Sequence, residues 1–147
     1  MNIRAATEAD KEYLDKSNNH ILARHQQFNT FYKPVSAGAD PGTKEEVVLV
    51  ATDKNETIGF IRGYILHNPI DRQVSYGYIQ AVWVEEGYRQ KGVAQSLVRE
   101  FESTLHKKGI HRVELTVDTQ NAAGKELWAG SGFEVYQERL YKILTSN

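Results

Sequence analysis

A basic turn between an apolar run and an amphipathic segment has the residue types best suited to bind an anion. The apolar run ends at Val82-Trp83-Val84, the turn continues through Arg89-Gln90-Lys91-Gly92, and Val93-Ala94-Gln95 opens a helical pattern. The first N–H groups of a helix have no intrahelical partner and carry partial positive charge. Glycine lets the backbone approach a ligand closely, and successive N–H groups can surround phosphate oxygens. The turn therefore predicts a pyrophosphate-binding site.

Two better-known phosphate loops do not fit this turn. Gly92 is followed by Val93 and Ala94, whereas the nucleoside-triphosphatase loop needs Gly-Lys-Ser/Thr. No Gly-x-Gly-x-x-Gly run follows a strand-like segment, which excludes the dinucleotide fingerprint. An ordinary strand-to-helix turn with scattered charge is the simpler alternative, and spacing alone leaves it open.

Two motifs together resemble those of the GNAT superfamily of N-acetyltransferases. Arg89-Gln90-Lys91-Gly92-Val93-Ala94 is similar to that family's Gln/Arg-x-x-Gly-x-Gly/Ala signature. Further along, Asn121 followed by Leu127-Trp128 and Gly132-Phe133 resembles its second signature. The resemblance implies that the turn binds the pyrophosphate of acetyl-coenzyme A, which acts as cosubstrate, and that the end of the preceding strand hydrogen-bonds the pantetheine arm and the thioester carbonyl.

The same resemblance implies a set of cofactor-binding residues. They are Val82, Trp83, Val84, Arg89, Gln90, Lys91, Gly92, Val93, Ala94, Gln95 and Asn121. For Asn121 a plain helix-capping role is the alternative, and the two roles are compatible.

Length, charge and residue content limit the number of domains and the kinds of partner and site that we expect. A chain of 147 residues fits one domain, expected to span 1–147, with a substantial core. A net charge of −1 gives no general attraction to nucleic acid or to an anionic membrane. The chain has no cysteine and its five histidines lack metal-ligand spacing, so we expect no metal site. No apolar run reaches the length of a membrane span and Met1-Asn2-Ile3-Arg4 opens no signal peptide, so a cytoplasmic location is expected.

The hydrophobic periodicity predicts an α/β domain with the element order β-α-β-β-β-α-β-α-β-β. Strands are predicted at 2–6, 46–52, 58–67, 73–84, 113–117, 133–136 and 138–144, and helices at 7–24, from 93 to the stop at Gly109, and at 122–129. This is also the element order of the GNAT fold. The resemblance implies a mixed, mostly antiparallel sheet of about seven strands flanked by helices, splayed between the fourth and fifth strands.

The acid and base that this family commonly uses are both missing. Trp128 stands where many members have a tyrosine acid, and an indole is no practical acid. Thr116 stands where some members have a glutamate base, and Tyr78 and Gln80 stand where others have a base on the central strand.

Three explanations remain open. Water relayed by Tyr76, Tyr78 or Gln80 can take the proton, since alternation puts these side chains on one strand face unless a bulge resets it. A tyrosine of the closing strands, Tyr136 or Tyr141, can supply the acid. Alternatively, the protein binds acyl-coenzyme A without much catalysis. The candidate catalytic residues are Tyr78, Gln80 and Tyr141.

The resemblance implies transfer of an acetyl group from acetyl-coenzyme A to a primary amine of a small molecule or peptide, by direct attack in a ternary complex. A non-catalytic acyl-coenzyme A binding or sensing module is the alternative. The irregular residues 25–43 and the loop at 68–72 are expected to line the acceptor side, because loops on a rigid scaffold usually carry specificity. Whether the chain forms a homodimer is left open.

Overall fold

A computed structural model describes residues 1–28, 44–67 and 75–144 of the protein. These residues form a five-stranded sheet with α-helices on both faces. The strands of this part are β1 (Asn2–Ala5), β2 (Lys44–Asp53), β3 (Glu56–Leu66), β4 (Tyr76–Val84) and β5 (Val113–Leu115). Its α-helices are α1 (Lys11–Phe28), α2 (Val93–Lys107) and α3 (Ala122–Gly130). The order of these elements is the predicted order as far as α3.

The sheet is mixed and mostly antiparallel, as predicted. Its strands are arranged in sequence order, β1 to β5. Neighbouring pairs from β1 to β4 are antiparallel, and only β5 lies parallel to its neighbour β4.

The predicted count of about seven strands is wrong for the described residues. Neither Phe133–Tyr136 nor Glu138–Leu144 forms a strand, although both segments are described. A strand exists only where a neighbouring edge supplies backbone partners. In the described part of the chain neither closing segment pairs with the outer edge of β5, so neither is a strand.

A tight hairpin joins β2 to β3, where the polar run Asp53-Lys54-Asn55-Glu56 predicts a turn. Lys54 and Asn55 both have positive φ, 50° and 66°. Two consecutive left-handed residues make the type I′ turn, whose twist matches that of paired strands. The turn therefore fixes the register of the two longest strands.

An ion pair between a partly exposed arginine and a buried carboxylate ties β1 to the start of α1. The guanidinium of Arg4 donates to both carboxylate oxygens of Asp10, at 2.8 and 3.1 Å. The backbone N–H of Thr7 donates to Asp10 Oδ2 at 2.8 Å, as the backbone of an N-cap threonine does to an acidic side chain three residues later in a capping box. The hydrogen bonds from Arg4, and then that from Thr7, hold the pKa of Asp10 below its usual value despite burial.

The two helical layers bury separate apolar clusters against the sheet. Leu97, Phe101 and Leu105 of α2 are buried on one face, among side chains that include Ile61 and Ile79. On the other face, Leu14 of α1 packs with a cluster that contains Phe60 and Trp83. Burial of a side chain such as Phe101 contributes about 2–3 kcal/mol. This packing holds the start of α2 just beyond the end of β4.

Candidate active site

The pairing between β4 and β5 is short and ends inside the sheet. The paired residues are Gly77 with Val113, Tyr78 with Glu114, and Ile79 with Leu115. Strand β4 nevertheless continues to Val84, so beyond Ile79 its edge towards β5 pairs with no described strand. This end of the pairing is the place at which the resemblance predicts a splay between the fourth and fifth strands. Backbone groups on an open edge can bind an extended ligand in the way a neighbouring strand would.

A bulge in β4 coincides with this opening. The register with β3 jumps from Arg62–Ala81 to Gly63–Ile79, which leaves Gln80 without an opposite residue. A bulge resets the alternation of the strand. As a result, Ala81 packs in the cluster on the α1 face, whereas Ile79, two residues earlier, packs in the cluster on the α2 face.

The turn after β4 has the geometry of an anion site. Gln90 and Gly92 are both left-handed, with φ values of 61° and 81°. Gly92 is the N-cap of α2, and the first turn of the helix contains no acidic residue. The N–H of Ser96 is bonded to the carbonyl of Gly92 at 3.0 Å. This is the first hydrogen bond of the helix, so the N–H groups of residues 93–95 have no intrahelical acceptor.

Space for a ligand is open at the same glycine. A Cβ added to Gly92 would meet no protein atom within 4 Å. Its positive φ also disfavours any side chain there. The predicted cradle around Gly92 therefore has N–H donors without an acceptor in the helix, a favourable helix end and room beside the backbone.

Arg89 holds the turn against the end of β4. Its Nε donates to the carbonyl of Val84 at 2.8 Å, and its guanidinium lies 4.8 Å from the ring centroid of Trp83. The Lys91 ammonium is 5.7 Å from the ring of Tyr88, and the residue is exposed. Arg89 thus shapes the turn, while Lys91 supplies positive charge at its surface.

A contact between α1 and the end of β4 adds residues that the sequence did not indicate. The hydroxyl of Tyr13 donates to Glu85 Oε1 at 2.9 Å, and Trp83 Nε1 donates to the same oxygen at 3.3 Å. Burial, reinforced by Glu85, raises the pKa of Tyr13. The ring of His20 lies 5.7 Å from that of Trp83. Tyr13 and Glu85 are 72 residues apart, and no local pattern marks such a pair.

Two of the three candidate catalytic residues lie close together on β4. The Tyr78 hydroxyl donates to Thr116 Oγ1 at 3.0 Å, and Gln80 Oε1 accepts a bond of 3.1 Å from the Tyr64 hydroxyl. Tyr141 is elsewhere, 75% exposed on the segment after α3. No hydrogen bond among the described residues joins it to Tyr78 or Gln80.

The second motif forms the start and end of α3. Asn121 caps the helix, its Oδ1 accepting from the N–H of Gly124 at 2.9 Å. Trp128 packs edge to face on Phe133, with ring centroids 5.5 Å apart. The Trp128 indole therefore packs against a residue that follows the end of α3.

A cavity of about 250 Å³ lies between α2 and the end of α3. Its lining consists of Gln95, Val98, Arg99, Glu102, Gly130, Ser131 and Gly132. Burial raises the pKa of Glu102. Because Gln95 belongs to the first turn of α2, this cavity lies beside the turn at Gly92. A larger cavity of about 700 Å³ lies between α1 and β2 and contains none of the predicted cofactor residues.

The expected acceptor loops cannot be placed against this site, because residues 29–43 and 68–72 lie outside the described residues. Within the described ranges, no three His, Asp or Glu side chains are grouped as metal ligands. No helix in that part of the chain is long and apolar enough to cross a membrane.

Comparison with known proteins gives solved structures that cover from 78% to 99% of this chain. An acetyltransferase from Vibrio fischeri is 28% identical over 78% of this chain and 94% of its own, with a TM-score of 0.62. A mutant of the BH1408 protein from Bacillus halodurans is 18% identical over 99% of this chain and 100% of its own, with a TM-score of 0.81. Aminoglycoside N-acetyltransferase AAC(6')-Iy, solved in complex with CoA, is 16% identical over 99% of this chain and 100% of its own, with a TM-score of 0.70. No curated protein matches the sequence.

The family comparison covers the candidate site itself. Residues 9–133 match the Acetyltransferase (GNAT) family. That range contains β4, the turn at Gly92, α2 and the helix capped by Asn121. The chain belongs to the GNAT family of acetyltransferases.

Proposed function

We propose that this chain transfers an acetyl group from acetyl-coenzyme A to a primary amine of a small molecule or peptide, by direct attack in a ternary complex within a single domain, 1–147. One observation carries the proposal. The open edge of β4 beyond Ile79 leads into a turn where α2 presents N–H groups that have no partner in the helix. An extended arm ending in a diphosphate has the shape and charge for these two adjoining features.

The cosubstrate is assigned to the chain in three parts. The diphosphate lies against residues 89–95, where Gly92 leaves open space and Lys91 adds charge. The pantetheine arm follows the backbone of Val82–Val84. Asn121 and the cavity beside α3 hold the remaining length of the molecule.

The thioester supplies an activated acetyl carbonyl. The amine nitrogen attacks the carbonyl carbon, an N–C bond forms, and the C–S bond of the thioester breaks to release the sulfur of coenzyme A. A lysine-like amine has a pKa of about 10.4, so its deprotonation at pH 7.4 costs about 4 kcal/mol. We assign the removal of that proton to water held by Tyr78 and Gln80. Both residues belong to β4, beside the crevice that begins where the pairing of β4 with β5 ends. A backbone N–H of residues 82–84 aimed at the carbonyl oxygen contributes a few kcal/mol.

The departing sulfur leaves as thiolate or takes a proton from a tyrosine, because Trp128 packs on Phe133 and is no acid. Tyr141 stays the proposed acid. Thr116 and Trp128 in place of the usual base and acid favour a second function, a non-catalytic acyl-coenzyme A binding or sensing module.

The amine is the least constrained part of the proposal. AAC(6')-Iy is by name an aminoglycoside N-acetyltransferase, but 16% identity shows the fold alone. Aminoglycosides are therefore one of four acceptor classes to test, beside polyamines, amino acids and peptides. The proposed partners include no nucleic acid, membrane or metal, and the proposed location is the cytoplasm.

Release of coenzyme A thiol tests the proposal across these four classes. We expect amine-dependent release with at least one class, above the hydrolysis measured without any amine. Tight binding of acetyl-coenzyme A without turnover across the panel would favour the sensing module. Absence of both binding and turnover would contradict the two functions together.

A further inference from the structure

One buried side-chain nitrogen in the described part of the chain has no hydrogen-bond partner. It is the Nε of Arg62, in the middle of β3. The guanidinium also forms no ion pair with any described residue. A buried N–H without an acceptor destabilises a protein, and the effect is larger on a charged group. An anion bound at this place would satisfy the nitrogen, so Arg62 is suited to a negatively charged ligand.

Arg62 lines the cavity of about 700 Å³ between α1 and β2. It lies on the sheet face that α1 covers, because its paired neighbours Val48 and Ala81 belong to the apolar cluster of Leu14. A cavity of this volume has room for a small organic molecule. Since its lining contains none of the residues predicted to bind coenzyme A, it suits a second ligand.

The other charges of the cavity select the kind of anion. Four carboxylates and three cations line it: Glu8, Asp15, Glu45 and Glu46, with Lys11, Arg62 and Lys108. Lys11 bonds Asp15 at 2.8 Å, and Lys108 bonds Glu45. Arg62 is therefore the one cation of this lining that has no ion pair among the described residues, and two carboxylates also have none. A ligand with one negative and one positive group complements these charges, whereas a doubly charged phosphate would be repelled by the carboxylates.

Arg62 also lies next to the residues proposed to handle the amine proton. It stands opposite Ala81, whose neighbour on β4 is the bulged Gln80. The hydroxyl of Tyr64, two residues along the same strand, donates to Gln80 Oε1 at 3.1 Å. Burial and then the charge of Glu46 raise the pKa of Tyr64, and the charge of Arg62 lowers it. Both charged groups are thus close to the hydroxyl that contacts Gln80.

We propose that the acceptor is an amino acid whose carboxylate binds to Arg62 and whose primary amine lies beside Gln80. This assignment depends on the proposed acetyl transfer, whose acceptor class it names. A guanidinium binds both oxygens of a carboxylate through two parallel hydrogen bonds. Glu46, the partner of Tyr64 on β2, attracts the positive charge of the incoming amine.

The other three acceptor classes match Arg62 less well. Polyamines and aminoglycosides carry cationic groups, which Arg62 repels and which leave its Nε without an acceptor. A peptide has a terminal carboxylate, but at least one residue separates it from the terminal amine. An amino acid presents the two charges at the short separation between Arg62 and Gln80, which lie on neighbouring strands about 4.8 Å apart.

Release of coenzyme A thiol with each common L-amino acid, and separately with the amide of that amino acid, tests the assignment. The amide keeps the amine and the side chain and loses only the negative charge. For at least one amino acid the wild type is expected to show a kcat/KM at least about tenfold higher with the acid than with its amide. O-phosphoethanolamine, which carries a phosphate in place of the carboxylate, is expected to be a poor acceptor.

Variants of Arg62 show whether this residue causes the preference. Arg62→Gln removes the charge and is expected to bring the ratio of acid to amide close to one, while Arg62→Lys keeps the charge and should retain part of the preference. The matched control Arg139→Gln removes one positive charge from an exposed position and should keep the wild-type ratio. Because the ratio compares two substrates on the same protein, a general loss of stability does not change it. If Arg62→Gln does not fold, the ratios of the wild type and of Arg62→Lys still decide.

An absent carboxylate site and an absent transfer give different results. If the wild type acetylates amines but prefers no acid to its amide, or prefers O-phosphoethanolamine, or if Arg62→Gln keeps the wild-type ratio, the assignment of Arg62 is overturned and the transfer stands. If no amine is acetylated, the transfer fails, and calorimetry with the same amino acids decides about the site. Heat of binding in the wild type that is absent in Arg62→Gln would support the site, and no heat in the wild type would overturn it.

Discussion

The hydroxyl of Tyr78 donates a 3.0 Å hydrogen bond to Thr116 Oγ1, across the place where β4 and β5 part. The last paired residues of the two strands are Ile79 and Leu115, so this bond lies at the closed end of the crevice. A threonine has no useful basicity, but its oxygen holds the tyrosine hydroxyl in one orientation. The pair therefore fixes a polar group next to the proposed path of the thioester.

Replacement of Tyr78 by Phe removes the hydroxyl and keeps the ring. If that hydroxyl holds the water that takes the amine proton, kcat falls by roughly tenfold to a hundredfold, while KM for acetyl-coenzyme A stays within about twofold. The measurement is steady-state kinetics with the best acceptor.

Thr116→Val is the matched control for that change. It removes the acceptor of the bond but leaves the Tyr78 hydroxyl, so kcat is expected to fall by less than about threefold. Equal losses in the two variants would mean that only the bond between them matters. An unchanged kcat in Tyr78→Phe would remove the residue from the proton path.

Gly92→Ala tests the cradle against a control in the same turn. The new methyl group must adopt a φ of 81° and occupies the space proposed for the diphosphate. The Kd of acetyl-coenzyme A is expected to rise at least about tenfold, since a clash and about 1 kcal/mol of backbone strain act together.

Gly87→Ala makes the same substitution five residues earlier, where a Cβ also meets nothing within 4 Å and φ is not positive. Calorimetry on this variant is expected to give the wild-type Kd within about twofold. Similar losses at both glycines would show that the turn as a whole, and not the backbone at Gly92, determines affinity.

Lys91→Ala removes an exposed positive charge beside the proposed diphosphate. We expect acetyl-coenzyme A to bind about fivefold more weakly, which corresponds to about 1 kcal/mol, and the dependence of Kd on salt to become shallower. Lys107→Ala removes the same charge at the opposite end of α2 and is expected to change neither quantity. An effect of equal size at Lys107 would point to the net charge of the protein rather than to a local site.

Asp10→Asn tests the ion pair between β1 and α1 through its dependence on pH. The pKa of Asp10 is lowered by its bonds with Arg4 and Thr7. A lowered pKa stabilises the fold at pH values above the unfolded pKa of about 3.9, and this contribution is lost as pH falls through the folded pKa. Urea unfolding at pH 7 should therefore show a loss of about 2 kcal/mol in the variant.

The difference between wild type and Asp10→Asn should shrink steadily below about pH 4. Asp15→Asn is the control, because that carboxylate is 60% exposed in its pair with Lys11 and contributes at most about 0.5 kcal/mol. A difference at Asp10 that does not depend on pH would mean that shape, not charge, is responsible.

Local patterns were sufficient for much of the fold. The spacing of Val93, Leu97 and Phe101 predicted α2 and its buried face, because apolar residues on one face of an amphipathic helix recur every three or four positions. The turn residues between β2 and β3 predicted the hairpin. The basic turn at Gly92 predicted the start of a helix, and the structure has Gly92 as the N-cap of α2.

Other features depend on contacts that no local pattern records. The bulge at Gln80 results from the register between β3 and β4, and the bond from Tyr13 to Glu85 joins an early helix to a later turn. The alternating pattern of residues 133–144 predicted two strands that the structure does not have, because a strand also requires backbone pairing with a neighbour, which a local pattern does not record.

Residue-resolved amide hydrogen exchange with and without saturating acetyl-coenzyme A tests the central claim most directly. The N–H groups of residues 93–95 have no helical acceptor. Their hydrogens should therefore exchange fast in the free protein and slowly in the complex with acetyl-coenzyme A. The amide of Ser96, already bonded to Gly92, is the internal reference. Unchanged exchange at Val93, Ala94 and Gln95 under saturation would contradict the claim that this turn holds the diphosphate.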